Sequence, residues 1–545
     1  MGCKMLKSPV SLGVRWSQHI TTEAIPGAFQ VKKIRRRLRK RKGRIERRLK
    51  RARKRKDSGK PVFSQQTVTY EIGERVQAIR HGGIGLAHQV AVGTGLVEAI
   101  DESVEVLKCH RPYHESDHML NIAYNGLCGG QRLEDIETRR NDEAFLDALG
   151  VEAIPDPTTA GDFCRRFSGV DVERLMEAIN EARLKVWKSQ DDDFTDRTAR
   201  IEGDGSIVET FGECKEGMGL SYNGKWGYHP LLISLANTNE PLFLCNRSGN
   251  RSSSEGAAGY FDRAIELCRR AGFSDILLRG DTDFAQTKHL DGWDADGVRF
   301  VFGYKAFANM TQTADELDED KQWAELERRA DQTFEHVETR AKQPRIKEQI
   351  VRQNGYENIR LDSEDVGEFA YSPTACDKTY RVVVVRKNLT VMEGKQALFD
   401  DIRYFFYITN DREMSPAEVV AEANERCDQE NLVDQLKNGV RALHAPVNTL
   451  NANWAYMVMA SLAWTLKAWM ALSLPICGRW RQKHQAERNR WLTMEFRSFV
   501  EQVINVPAQI VETGRRLVYR FLAWRPQMPV VFRLVAALPG ARAST

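Results

Sequence analysis

Apolar residues keep a helical spacing up to about residue 195 and turn strand-like at 199. Between 66 and 190, LNIAYNGLCGG (120–130) stops on glycines, as helices often do. DPTTAGDFCRRF (156–167) sets Pro157, Thr158 and Thr159 where a helix would begin, and VDVERLMEAINEARLKVWKSQ follows as a long amphipathic helix. From 199, ARIEGDGSIVETFG alternates, and HPLLISLAN and PLFLCNR follow with turn residues between them. SSSEGAAGYFDRAIELCRRAG predicts a helix of about 18 residues closing at Gly272, DILLRGDTDF a buried strand ending in acids, and VRFVFGYK another strand. The order is therefore β-β-β-α-β and a further strand, a mixed α/β core. Residues 308–395 are less regular, with one strong strand in YRVVVVRKNL, and read as an insertion. YFFYITN (404–410) resumes the strand character. A helix then opens at Ser415 with Pro416 at its first position and Glu418 completing a capping box, and ends at Gly439.

These shifts divide the chain into a basic arm (1–60), a helical region that suits a DNA-binding module or a plain helical domain equally (61–195), and the first part of the core (196–307). An insertion (308–395), the second part of the core (396–475) and a helical tail (476–545) follow. The segment 454–474 is long and apolar enough to span a membrane, but Lys467 sits inside it and Asn451 and Asn453 abut it, which favours a buried core helix.

Charge changes this picture. The net +5 over 545 residues hides an arm from Lys32 to Lys56 with 18 Lys or Arg against Glu46 alone, a local +17 that leaves −12 on the remainder. Such an arm points to a polyanionic partner, with Arg35, Arg36, Arg37, Arg39 and Lys40 as candidate phosphate contacts, and self-repulsion predicts that it is largely disordered. Ten cysteines with no CxxC pair, and no apolar signal core at the N-terminus, favour a reducing, cytoplasmic setting.

Two acids stand in revealing places: Asp204 in IEGDGS near the end of the first strand, and Asp281 in LLRGDTDF at the end of the fourth. A carboxylate at the edge of an apolar strand is costly without a counter-charge and is often a ligand or catalytic group. Glu430, in RCDQENLVDQLKNG, offers a third. Arg426 precedes it by four and Lys437 follows it by seven, which on one helix leaves all three within about 60°. Three carboxylates suit Mg²⁺, or Mn²⁺ in its place, and the two cations suit phosphate. Each signal alone also describes a strand-end aspartate or a surface salt-bridge ladder.

With the β-β-β-α-β order, the segments IEGDGSIVETFG, GYHPLLISLANTNEPLFLCNRSGNRSSSEGAAGYF, LLRGDTDF and NERCDQENLVDQLKNG resemble the DDE transposases of bacterial insertion sequences, in the subgroup called transposase DDE domain group 1. The resemblance implies a ribonuclease H-like mixed sheet with an inserted subdomain and flanking helical regions. It implies metal ligation by Asp204, Asp281 and Glu430, and a Y-x2-R-x3-E-x6-K signature that places Arg426, Glu430 and Lys437. The tyrosine of that signature is Ala423 here. It further implies double-stranded DNA as partner (element ends and target), a homodimer in a synaptic complex, a nucleoid-associated location, and cleavage followed by strand transfer. A ribonuclease H-like nuclease without strand transfer and a non-catalytic DNA-binding descendant are the competing functions.

Further candidates lie outside these three positions. Arg247, Asn250 and His229 lie on loops beside the site and are candidate DNA contacts; Asp283 and Asp434 are alternative ligands. Trp323 would stack on an unpaired base or simply pack. Cys109, His110, His114 and His118 cluster, but zinc would want a second paired cluster, so a helix N-terminus near DNA is the better reading.

Overall fold

The computed structural model describes residues 28–53, 77–110, 112–317, 319, 322–326, 357–393, 396–425, 427–513 and 516–538. Its centre is a nine-stranded sheet. The strands that matter for the site are β1 (Ala199–Gly205), β2 (Leu231–Leu235), β3 (Glu240–Cys245), β4 (Ile276–Gly280) and β5 (Arg299–Tyr304). They lie in the order β3-β2-β1-β4-β5. β1 pairs antiparallel with β2 and parallel with β4, and β4 runs parallel with β5. This is the ribonuclease H-like arrangement, three meandering strands followed by two parallel ones reached by helical crossovers.

The described strands of the expected insertion do not stand apart from the core. β6 (Glu357–Tyr371), β7 (Tyr380–Glu393) and β8 (Gln396–Thr409) form an antiparallel meander whose last strand pairs with β5, extending the same sheet. The run VVVV at 382–385 is buried on both faces in the middle of that meander, which explains why it lacks alternation.

In chain order, the helices used below are α1 (Ala28–Arg53), α2 (Glu115–Leu127), α3 (Gly169–Lys188), α4 (Ala257–Ala271), α5 (Pro416–Asn424), α6 (Cys427–Asp434) and α7 (Leu450–Leu472). α4 covers one face of the core sheet, and α5 and α6 cover the other. α7, the membrane-length segment, is wholly buried within the protein. Lys467 is accommodated there by donating to the Leu492 carbonyl at 2.8 Å while lying against the Trp464 ring. A buried polar knot locks α3 and α7 to the edge of the sheet. Glu240, fully buried, accepts from Arg183 at 3.0 Å, from the Trp187 indole at 2.9 Å and from the Trp469 indole at 2.8 Å. A carboxylate this deep is tolerable only because every partner is present.

Two expectations need correction. The basic arm is helical over Ala28–Arg53 and is docked, not loose. Ile34 is buried, Arg41 donates to the carbonyls of Phe521 and Ala523 (2.8 and 3.3 Å), and Lys42 sits over the Trp524 ring. Carbonyl acceptors and an aromatic face offset the self-repulsion that argued for disorder. The tail in turn folds back onto the start of the described body, where Ala78–Ile79 pairs with Ala508–Thr513. The helix expected to run unbroken from Ser415 to Gly439 is also interrupted. It is capped by Ser415 and Glu418 as expected, but α5 ends at Asn424, α6 begins at Cys427, and residues Gln435–Gly439 form a wider π-turn.

Candidate active site

β1 and β4 each carry a glycine followed by an aspartate near or at their C-terminal ends, and the two glycines, Gly203 and Gly280, are register partners. Asp204, the next residue of β1, and Asp281, the first residue past β4, therefore follow directly on neighbouring positions of two adjacent parallel strands. The glycines are required by what lies beneath. A Cβ on Gly203 would come within 2.6 Å of Phe261 and 2.8 Å of Phe284, and one on Gly280 within 2.5 Å of Phe284. The absence of both methyls lets Phe284, fully buried, fill the opposite face while the carboxylates point away from it. Both aspartates are half-buried. Asp281 accepts from the Asp283 backbone N–H at 2.8 Å, an Asx turn, and Asp204 accepts from the N–H of the next residue, Gly205, at 2.8 Å.

One step back along each strand, on the same face, stands an opposite pair. Glu202 and Arg279 are register partners, both 1 % exposed, and form an ion pair. Arg279 also reaches Glu422 of α5 at 3.0 Å and Glu425 at 3.3 Å, while Arg200 binds Glu422 through two contacts of 3.0 and 2.7 Å. Burial alone would raise the Glu422 carboxyl, but its bonds to Arg200 and the charges of Arg200 and Arg279 hold it below the ordinary range. This network fastens α5 across β1 and β4 just beneath the two aspartates. Sequence reasoning missed it, although a signal was present: E-G-D in one strand and R-G-D in the other differ only in the sign of the first residue.

α6 continues from this clamp past the strand ends. The Gln429 side chain, buried, donates to the Leu232 carbonyl at 3.3 Å, and Leu232 is the register partner of Asp204. The next residue, Glu430, is exposed. Among the described residues no three His, Cys, Asp or Glu side chains are gathered tightly enough to hold one ion. Arg426 lies outside the described residues.

Lys437 is brought to the site by the π-turn. It is half-buried and its ammonium donates to the Ser206 hydroxyl at 2.9 Å, two residues beyond Asp204. Burial and the nearby Lys225 pull its pKa down, while Asp204 and Asp434 oppose them; the net direction is downward. Asp434 and Asp283 are both exposed, and Asp434 accepts from Asn438 at 2.6 Å.

The loop candidates divide. Arg247 spends its guanidinium on the carbonyls of His229 (3.0 Å), Glu255 (2.6 Å) and Ser253 (3.0 Å), and His229 is buried with Nδ1 at 2.9 Å from the Arg251 carbonyl. Both residues hold the loop wall of the site, whereas Asn250 is exposed. Arg35, Arg36, Arg37, Arg39 and Lys40 are all exposed on α1. Trp323 is half-buried, with the Arg386 guanidinium 4.4 Å from its ring centre, which is the packed alternative. The histidine cluster does begin a helix: the Asp117 carboxylate accepts from the His114 N–H at 2.9 Å. His118, however, is buried and stacked 4.3 Å from Phe163.

A family model described as transposase DDE domain group 1 matches residues 60–543. No curated protein matches the sequence. Among solved structures, the chain is similar to the cryo-EM structure of a piggyBac transposase synaptic complex with hairpin DNA, at 10 % identity and a TM-score of 0.34, over 86 % of this chain and 87 % of that one.

Proposed function

The chain belongs to the transposase DDE domain group 1 family, and from that premise we propose that it is an insertion-sequence transposase that binds terminal inverted repeats and catalyses metal-dependent DNA cleavage and strand transfer. The observation that carries the reading is that Asp204 and Asp281 each follow one of the register-paired glycines of two adjacent parallel strands, above the Arg279 clamp. Two hard-oxygen donors in that position fit Mg²⁺, with Mn²⁺ as a substitute, and Glu430 is assigned as the third ligand from its place on α6. When bound, the metal would supply a more acidic water and neutralise charge on the cleaved phosphodiester.

The chain's own residues do the rest in this reading. Lys437, fixed by Ser206 and partly desolvated, binds a phosphate oxygen next to the carboxylates. Arg426 is assigned a phosphate role from its spacing to Glu430. The exposed cations of α1 hold the DNA backbone away from the cleaved bond and position it without reading sequence. Asn250 is the loop residue placed to touch DNA.

Asp204→Asn, Asp281→Asn and Glu430→Gln are each expected to lose cleavage of DNA carrying the element's own flanking ends by at least about a hundredfold while end binding persists. Gel analysis of nicked and joined products reads both steps. Normal cleavage in any one variant would remove that residue from the ligand set, and cleaved ends that never join would favour a nuclease without strand transfer.

A further inference from the structure

Between β1 and β2 the chain makes an excursion over residues 206–230 that carries a small three-stranded sheet of its own. It leaves one residue after Asp204 and Gly205 and returns beside His229. Its strands are Val208–Glu209, Gly219–Leu220 and Trp226–Tyr228, with Trp226–Tyr228 in the middle.

The excursion is firmly anchored. Tyr228 is fully buried and donates to the Glu216 carbonyl at 2.7 Å, the Glu216 N–H donates to the Asn448 carbonyl at 2.8 Å, and Lys215 is bonded to the Ala445 carbonyl. The tip, Ser221 to Lys225, is closed by a backbone bond from Ser221 to the Lys225 carbonyl at 2.8 Å and by the Ser221 hydroxyl, which lies 2.6 Å from the Asn223 amide oxygen.

What this rigid piece presents to solvent is unusual. Phe211 is 87 % exposed, Tyr222 89 %, Trp226 56 % and Leu220 50 %. Leu220 and Trp226 are register partners, so their side chains share one face. Side chains this exposed contribute almost nothing to the core, and the Leu220–Trp226 face, with Tyr222 in the turn that follows Leu220, gives an anchored scaffold an exposed apolar surface that marks a binding site. Its chemistry suits flat apolar faces more than phosphates, because Glu209, Glu213 and Glu216 outnumber Lys215 and Lys225 and Lys215 is already engaged. Lys225, at the end of the tip turn, is paired with Glu209 at 3.7 Å and lies close enough to Lys437 for their charges to interact.

We propose that this excursion is a stacking platform for unpaired bases of the DNA end held at Asp204 and Asp281, with Lys225 and Lys437 taking the flanking phosphates. The inference rests on the transposase reading above and adds a surface and a ligand class to it. Within a duplex both faces of a base are covered by its neighbours, so a protein ring can stack only on a terminal or splayed nucleotide. A platform adjoining the carboxylates would hold such a nucleotide clear of the reacting strand.

The test uses the full chain in EDTA, so that no cleavage intervenes, and a forked duplex with 2-aminopurine in its unpaired arm beside the same duplex fully paired. Wild-type protein should prefer the fork and quench the probe. Tyr222→Ala and Trp226→Ala should each lose about tenfold to a hundredfold in fork affinity, with duplex affinity unchanged and Trp226→Phe retaining most of the binding. Because these side chains are exposed, melting temperatures should match the wild type. Equal affinity of wild type for fork and duplex, or variants that bind the fork normally, would overturn the proposal. A changed sedimentation coefficient with unchanged fork binding would also overturn it, in favour of a contact between protein chains. Loss of the nuclease reading would show separately, as normal cleavage by Asp204→Asn.

Discussion

At the scale of single residues, Lys437 separates a phosphate-binding role from a surface ladder. It is half-buried, bonded to Ser206 and held at a lowered pKa by burial, so its charge is maintained at a cost the fold does not need. Lys437→Ala should leave melting almost unchanged and reduce cleavage by about a hundredfold, the loss usual for one aimed electrostatic donor. Lys437→Glu should be worse, and wild-type cleavage by the alanine variant would refute the role. His118 gives a different readout. Burial lowers its pKa to about 4, against the opposing charges of Asp117 and Glu115. The unfolded ring takes its proton near 6.5, so the unfolded chain binds the extra proton between the two values. Stability from this site is full above pH 6.5 and is lost as pH falls towards 4. His118→Phe, which keeps a ring against Phe163, should flatten the melting temperature over that window; an unaltered pH profile would show that His118 is not buried neutral. The neighbouring positions of Asp204 and Asp281 at two strands of the sheet were legible in the sequence because an acid after an apolar run is conspicuous. Arg279 and Glu202 were not, since their meaning lies in a cross-strand register that no single strand displays.

At the scale of elements, periodicity identified the core strands and α3, α4 and α7, whose apolar patterns are long. It failed where a local pattern and a tertiary contact disagree. The single stripe of Arg426, Glu430 and Lys437 assumed one continuous α-helix, but the helix begun at Pro416 ends at Asn424 and the backbone widens over Gln435–Gly439, with Arg426 itself outside the described residues. The π-turn is closed by the Val440 N–H on the Gln435 carbonyl at 2.8 Å, and it is this turn, not α-helical spacing, that carries Lys437 to Ser206. α1 is the second case, a helix that charge alone would dissolve and that Arg41 and Ile34 secure. Replacing Arg35, Arg36, Arg37, Arg39 and Lys40 by glutamine leaves those anchors intact. The slope of log affinity against log salt should then fall by about 0.9 for each phosphate contact removed. Filter binding across a salt series measures this, and an unchanged slope would show that α1 does not touch DNA.

At the scale of the whole molecule, the pieces that the sequence separated are joined. The insertion's strands extend the core sheet, the tail pairs with the start of the described body, and α7 runs through the centre between α2, α3 and β3. Composition reads these as separate domains because it follows the chain, while burial follows proximity. The consequence for function is a stiff frame under the two aspartates: glycine contacts on one face, the Arg279 network on the other, and α6 laid over the strand ends. The most direct measurement is a metal switch at Asp281. Asp281→Cys replaces a hard oxygen donor with a soft thiolate, which disfavours Mg²⁺ far more than Mn²⁺. Cleavage of the element's flanking ends is then compared in the two metals, with Asp281→Ala as control. If Asp281 is a ligand, the cysteine variant loses activity in Mg²⁺ and regains a measurable part of it in Mn²⁺, while the alanine variant stays inactive in both. Equal activity of the cysteine variant in the two metals, or wild-type cleavage by the alanine variant, would contradict the assignment of the paired aspartates as the catalytic centre.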